Sequence, residues 1–264
     1  MPLATLWPIA SGRIIGLLLL VLIFVLTLYF MTGSRTPYIR RVLALDVIEE
    51  AVGRATEMGK PVLCSFGWGF GGFDYWTMAG LSILSYVARL CAKNDTRLLV
   101  PTGGSTDSYI VRPMAVDIIK TAYEAEGKGE QFDEKDVPFM SGDQFAMGTG
   151  YAGMLIANRP AAHIMTGSGG ADVLMVGEVS NQVGALTIMT GTYMGNVAAL
   201  ACACDYIMIA DEAIAAGAYL SREPAQLASI RVQDIYRFLT IGLVAVGIVL
   251  IQAGSRFMID LLGT

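Results

Sequence analysis

The chain has 264 residues, 54% of them hydrophobic and 16% charged, with a formal net charge of −5. Soluble domains carry about 25% charge, so a fully solvated protein is a poor fit. The basic residues gather only beside the apolar ends, which leaves no basic face for nucleic acid. The length suits two membrane helices and one domain of ordinary size.

The first element is an uncharged apolar run of 18 residues, Ile14 to Met31. It is long enough for a helix to cross a hydrocarbon core of about 30 Å. It also exceeds the about 7–15 apolar residues of a signal peptide and is followed by no small-x-small cleavage site, so it reads as a retained span. Thr36-Pro37 then opens a helix whose apolar positions (Val42, Leu45, Ile48, Val52) recur at helical spacing up to Met58, with Gly59 as its stop.

From there strands and helices alternate. Pro61–Phe66 and Arg97–Pro101 read as strands around a helix at 76–93. A helix at 110–126 leaves through a charged loop, and Val137–Met140 reads as a short strand. Helices follow at 144–158, 171–183, 195–204 and 212–220, separated by strands at 163–165, 185–189 and 206–210. Such alternation with short turns predicts a Rossmann-like α/β fold, a mostly parallel sheet with helices on both faces. Ser221-Arg222-Glu223-Pro224 looks like a helix start, with Ser221 as cap. No breaker separates it from the second uncharged run, Phe238 to Ser255. One helix should therefore run from the domain into a second span, dividing the chain into residues 1–34, an α/β domain at 35–223, and 224–264.

Arg13, Arg35, Arg40 and Arg41 flank the first span; Arg222, Arg231, Arg237 and Arg256 flank the second. Their balance predicts a two-pass protein of the cell membrane with its central domain in the cytoplasm. Cys64, Cys91, Cys202 and Cys204 have no metal-ligand spacing, and in a reducing compartment all four read as small buried residues.

Three turns after strands are rich in Gly. Gly67, Gly69 and Gly72 satisfy G-x-G-x-x-G between a strand and a helix, the setting in which backbone N–H groups hold a phosphate. Against a dinucleotide stand the bulky Trp68 and Phe70, and Val100-Pro101-Thr102 where an acid should bind ribose. Ser168 and Gly169 lie in the second turn, but G-x-S-x-G is absent, and the chain's one histidine, His163, precedes Ser168, against the order of a hydrolytic triad. His163 reads as a core residue with one backbone partner. Glu178 and Asn181, three apart on one helix, and Asp211 beside Glu212 are the other polar candidates. Their structural alternatives are an ion pair from Glu178 to Arg159 or Arg222 and a helix cap by Asp211. The ligand-binding candidates are thus Gly67, Gly69, Gly72, Ser168, Gly169, Glu178, Asn181 and Asp211, with no catalytic set, metal or cofactor expected.

Leu84-Ser85-Tyr86-Val87-Ala88-Arg89-Leu90, Asn158-Arg159-Pro160-Ala161-Ala162, Ala203-Cys204-Asp205-Tyr206 and Ala218-Tyr219-Leu220-Ser221-Arg222-Glu223-Pro224 carry a resemblance. With them the chain resembles an uncharacterised bacterial and archaeal membrane-protein family, known only as a domain of unknown function. The resemblance implies an α/β domain between two membrane helices and brings no reaction, cofactor or catalytic residue.

Between Gln144 and Tyr219 only six residues are charged: Arg159, Asp172, Glu178, Asp205, Asp211 and Glu212. A surface so poor in charge is expected to be covered by neighbouring copies. The sequence therefore points to a membrane-anchored scaffold, more a building block than an enzyme. Its expected partners are the bilayer and copies of itself, with room for a further membrane protein. The alternative is a sensor or enzyme that binds a nucleotide or sugar phosphate at the Gly-rich edge.

Overall fold

The computed structural model describes residues 11–33, 42–68, 73–105, 108–167, 169–170 and 172–254. The chain divides into two compact units, Arg40–Ser221 and the segments on either side of it.

In the central unit five strands form one sheet: β1 (Val62–Ser65), β2 (Leu98–Leu99), β3 (Ala162–Met165), β4 (Leu186–Gly191) and β5 (Tyr206–Ile209). All pairs are parallel, in the order β2-β1-β3-β4-β5. The register places Val62 beside Leu98 and Ala162, and Ile188 beside Tyr206. The strands are short; β1 to β4 are almost wholly buried, as a sheet covered on both faces requires, whereas in the edge strand β5 only Met208 is buried. The expected strand at Val137–Met140 is reduced to one parallel bridge between Thr102 and Phe139, because Pro138 supplies a carbonyl but no N–H to a ladder.

Among the described residues seven α-helices accompany the sheet: α2 (Leu43–Met58), α3 (Tyr75–Lys93), α4 (Ser108–Ala125), α5 (Gln144–Asn158), α6 (Val173–Val183), α7 (Met194–Ala203) and α8 (Asp211–Ser221). One core, holding Ile48, Val52, Cys64, Ile83, Ile164 and Ile188, lies under α2, α3, α4 and α8. The other, holding Leu63, Trp68, Met147, Tyr151, Val176 and Leu200, lies under α5, α6 and α7. Alternation along β1 sends Val62 and Cys64 to the first core and Leu63 to the second. In βα connections each helix runs back against its strand, so the first turns of all seven helices share the edge where the strands end.

Asp74 and Asp143 cap α3 and α5, accepting from Thr77 N–H (2.8 Å) and Ala146 N–H (2.9 Å), and Gly59, at φ 61, ends α2. Between α8 and the next helix Arg222 takes a positive φ of 53. Ser221 is the last residue of α8, and Glu223, not the expected Ser221, holds the N-cap position of the next helix, with no capping bond from its side chain.

The other unit holds α1 (Ser11–Thr32) and α9 (Pro224–Gln252), which pack on each other. The Arg231 guanidinium lies over the Phe30 ring, 4.6 Å from its centroid. Among the described residues one helix, Pro224–Gln252, is long and apolar enough to cross a membrane, and its most apolar stretch is entirely unburied. The described apolar part of α1, Gly16–Thr32, is shorter, so one span candidate stands where the sequence suggested two. Thr27 and Thr240 turn their hydroxyls back onto the Ile23 and Tyr236 carbonyls, which leaves no polar group of theirs seeking water.

Candidate functional site

In the strand order seen here, the chain reverses direction across the sheet between β1 and β3, and open sheets of this kind place ligands beyond the strand ends at that point. The turns after β1 and β3 meet there. Gly67 and Gly167 both have φ 96. A side chain on Gly167 would collide with the Phe66 carbonyl, so close backbone approach accounts for this glycine.

Trp68, fully buried, turns inward and tilts against Tyr151, with ring centroids 6.2 Å apart. Gly104, at φ 93, admits it: an added Cβ there would lie 2.6 Å from Trp68 Cβ. Below Trp68, the Tyr151 hydroxyl and His163 Nε2 are 2.9 Å apart. Both groups are fully enclosed. Burial pushes the tyrosine well above its ordinary pKa and lowers the histidine to about 3, so both are neutral near pH 7. The partner of His163 is thus a side-chain hydroxyl, where a backbone group was expected. This pair joins α5 to β3 with no access for a substrate.

Beside it, Gln144 Nε2 donates to Asp172 Oδ1 (2.6 Å), linking the start of α5 to that of α6. Burial raises the Asp172 carboxyl above its ordinary pKa. Asp172 Oδ2, Trp68 Nε1, Thr190 Oγ1 and Thr192 Oγ1 are buried and lack hydrogen-bond partners among the described residues. Asn196 Nδ2 holds the second Gly-rich turn through the Gly169 and Gly170 carbonyls (3.0 and 3.1 Å).

The candidate ligand residues do not converge. Gly69, Gly72 and Ser168 lie outside the described residues. Gly67 and Gly169 sit at the strand-end edge, where Gly169 is packed against Val173 and Met165. Asp211 is at that edge too, inside the first turn of α8 and not ahead of it as a cap would be; Glu212 beside it accepts from Ile209 N–H (3.1 Å). Glu178 and Asn181 lie toward the opposite edge. Glu178 is exposed and accepts from Gln182 of its own helix (3.2 Å), in place of the expected Arg159 or Arg222. Asn181 Nδ2 donates to the Ala203 carbonyl (2.8 Å), fastening the end of α6 to that of α7. That role is structural.

A cavity of about 440 Å³ opens at the edge where the strands begin, lined by Thr56, Lys60, Asp95, Thr96, Arg97 and Asn158 among others. Its charges are largely matched: Arg97 pairs with Asp136 and Asp95 with Lys128, each at 2.6 Å. Helix C-termini surround it, and their negative ends favour the cations already present over an incoming anion. Among the described residues no cluster of three His, Cys, Asp or Glu could hold a metal ion.

The charge-poor stretch after Gln144, read from the sequence as composition, gathers on one face of the sheet, which the sequence did not reveal. Helices α5, α6 and α7 contain 36 residues and one charge, Glu178, whereas α2, α3 and α4 contain 53 residues and 11 charges. Once the topology puts the first three on one face of the sheet, that face proves nearly free of charge. Its outward residues include Phe145, Ile156, Leu174, Ala198, Ala201 and Cys202, all exposed. Cys202 and the half-buried Cys204 thus depart from the expectation of four buried thiols; Cys64 and Cys91 meet it.

No curated protein and no solved structure matches this chain. A family model described as a domain of unknown function, DUF6754, matches residues 8–262. With nearly its whole length matched, the chain belongs to that family.

Proposed function

We propose that this chain is a membrane-anchored structural protein that assembles with copies of itself into a large homo-oligomer. Both apolar helices cross the bilayer, and the α/β units pack side by side in the cytoplasm. The observation that carries this reading is the single charge among the 36 residues of α5, α6 and α7. A solvated face of that size would carry about nine charges at the usual frequency. Depletion of charge with exposed apolar and small residues is the composition of an interface core, and α2–α4 show that this fold does not itself require it. The unburied apolar stretch of α9 and the arginines flanking both apolar runs support the membrane part. Trp68 is packed in the core at the strand-end switch point, so the nucleotide or sugar-phosphate reading gains no support there.

Cys202, exposed on α7, reports on the contact. In membranes it should react slowly with a maleimide, and fast once the assembly is broken by Ile156→Asp. Cys64 and Cys91 are buried, and burial pushes the Cys204 thiol up to about 12, so they remain silent controls near pH 7. Equal, fast labelling of Cys202 in both proteins would refute the contact.

A further inference from the structure

The nearly charge-free face does not account for a second group of exposed apolar side chains. Leu43, Tyr75, Met78, Tyr109, Ile110 and Ile209 belong to the other side of the sheet or its end, and each is 45–68% exposed. All lie in the first turn of a helix or at the last residue of a strand, so the topology brings them to the one edge where strands end. Along α3 and α4 the character changes with height. The heads carry Tyr75, Met78, Tyr109 and Ile110, and the tails carry Arg89, Lys93, Lys120 and Glu124. Among the described residues the first turns of all seven helices contain no Lys or Arg. The opposite edge carries Lys60, Lys93, Arg97 and Lys128.

We propose that this rim is a lipid-docking surface: the strand-end edge of the α/β unit sits in the headgroup–acyl boundary of the bilayer. The proposal rests on the reading that the chain is membrane-anchored. A neighbouring copy packed alongside would cover a helix along its length. A flat apolar phase covers only the heads, which is the gradient seen on α3 and α4. Half-exposed side chains of this size leave roughly 100 Å² each in solvent. The six together thus leave about 600 Å² of side chain in solvent along this edge. Tyrosine and aliphatic residues are the residues that favour the membrane interface. A second copy placed rim to rim would bring the positive ends of many helices together. The first turns also carry the acids Asp46, Asp211 and Glu212; Glu212 accepts from Ile209 N–H, and Asp74 and Asp143 are occupied as caps, so the described first turns do not call for an anionic headgroup. A span in the same chain also keeps the unit at high effective concentration near lipid, so modest apolar contact is enough.

The test uses the full chain with Cys202→Ser, reconstituted in phosphatidylcholine vesicles with or without brominated acyl chains. An environment-sensitive fluorophore is placed at Ile110→Cys, at Lys120→Cys, about 15 Å further along the same helix, or at Val244→Cys within α9. The proposal expects blue-shifted, bromolipid-quenched emission at 110 and 244, water-like unquenched emission at 120, and no need for anionic lipid. Quenching at 244 with a water-exposed label at 110 would overturn the docking surface and leave the anchor standing. A blue shift at 110 without bromolipid quenching would mean that protein covers the rim, and would equally overturn it. Loss of quenching at 244 as well would remove the anchor and this inference together.

Discussion

Ile156→Asp is expected to take the assembly apart while each subunit stays folded. Ile156 is 58% exposed on α5, so in a lone subunit the change should fall within about 0.5 kcal/mol. In a packed interface the same carboxylate becomes a buried charge without a partner, which costs about 3–5 kcal/mol, roughly a 10²- to 10⁴-fold weaker contact. Repeated at every contact of a closed assembly, that should reduce particles to single subunits. Ala201→Asp on α7 should act alike, and Lys120→Ser on α4, on the charged side of the sheet, should not. Sedimentation in mild detergent separates the outcomes. An unchanged particle size in both aspartate variants would count against the nearly charge-free face as the contact.

The second large effect is acid lability from one residue. His163 is the only histidine in the chain. Burial lowers its folded pKa to about 3, from 6.5 for a free imidazole. The groups around it offer no charge in return: the Tyr151 hydroxyl from α5 and, in register on β1 and β4, Leu63 and Thr187. The unfolded chain therefore binds the proton more readily than the folded one. The contribution is fully present above pH 6.5 and is lost as pH falls toward 3. Between pH 6.5 and 5, above most carboxylate titrations, about 2 kcal/mol of stability should disappear. Melting curves at pH 7 and pH 5 measure it, and His163→Gln should flatten the difference. A wild-type melting temperature indifferent to pH in that window would mean that His163 is not enclosed as described.

Much of this architecture could be read from the chain. Apolar periodicity placed α3, α5 and α9 nearly to the residue, and Pro224 marked the start of α9. The parallel sheet followed from alternation alone. Strand order did not, since nothing local in Val62–Ser65 says that β2 and β3 will flank it. That gap also misdirected the site. Glu178 and Asn181 share a helical face with the right spacing, but helix α6 carries them away from the Gly-rich edge, a fact that depends on chain direction across the sheet. The charge-poor stretch after Gln144 was legible as composition, yet it became a surface only when α5, α6 and α7 were found together on one side. Trp68 was weighed as an obstacle to phosphate; its inward turn depends on Gly104, far along the chain, and no short-range pattern reveals it.

The central claim is that these subunits stand side by side in a bilayer, and the mass of the wild-type particle tests it most directly. Full-length protein extracted from membranes straight into lipid nanodiscs and weighed particle by particle should give discs holding many 28.2 kDa chains, with one dominant copy number that persists on dilution. Discs holding a single chain at every concentration would contradict the account.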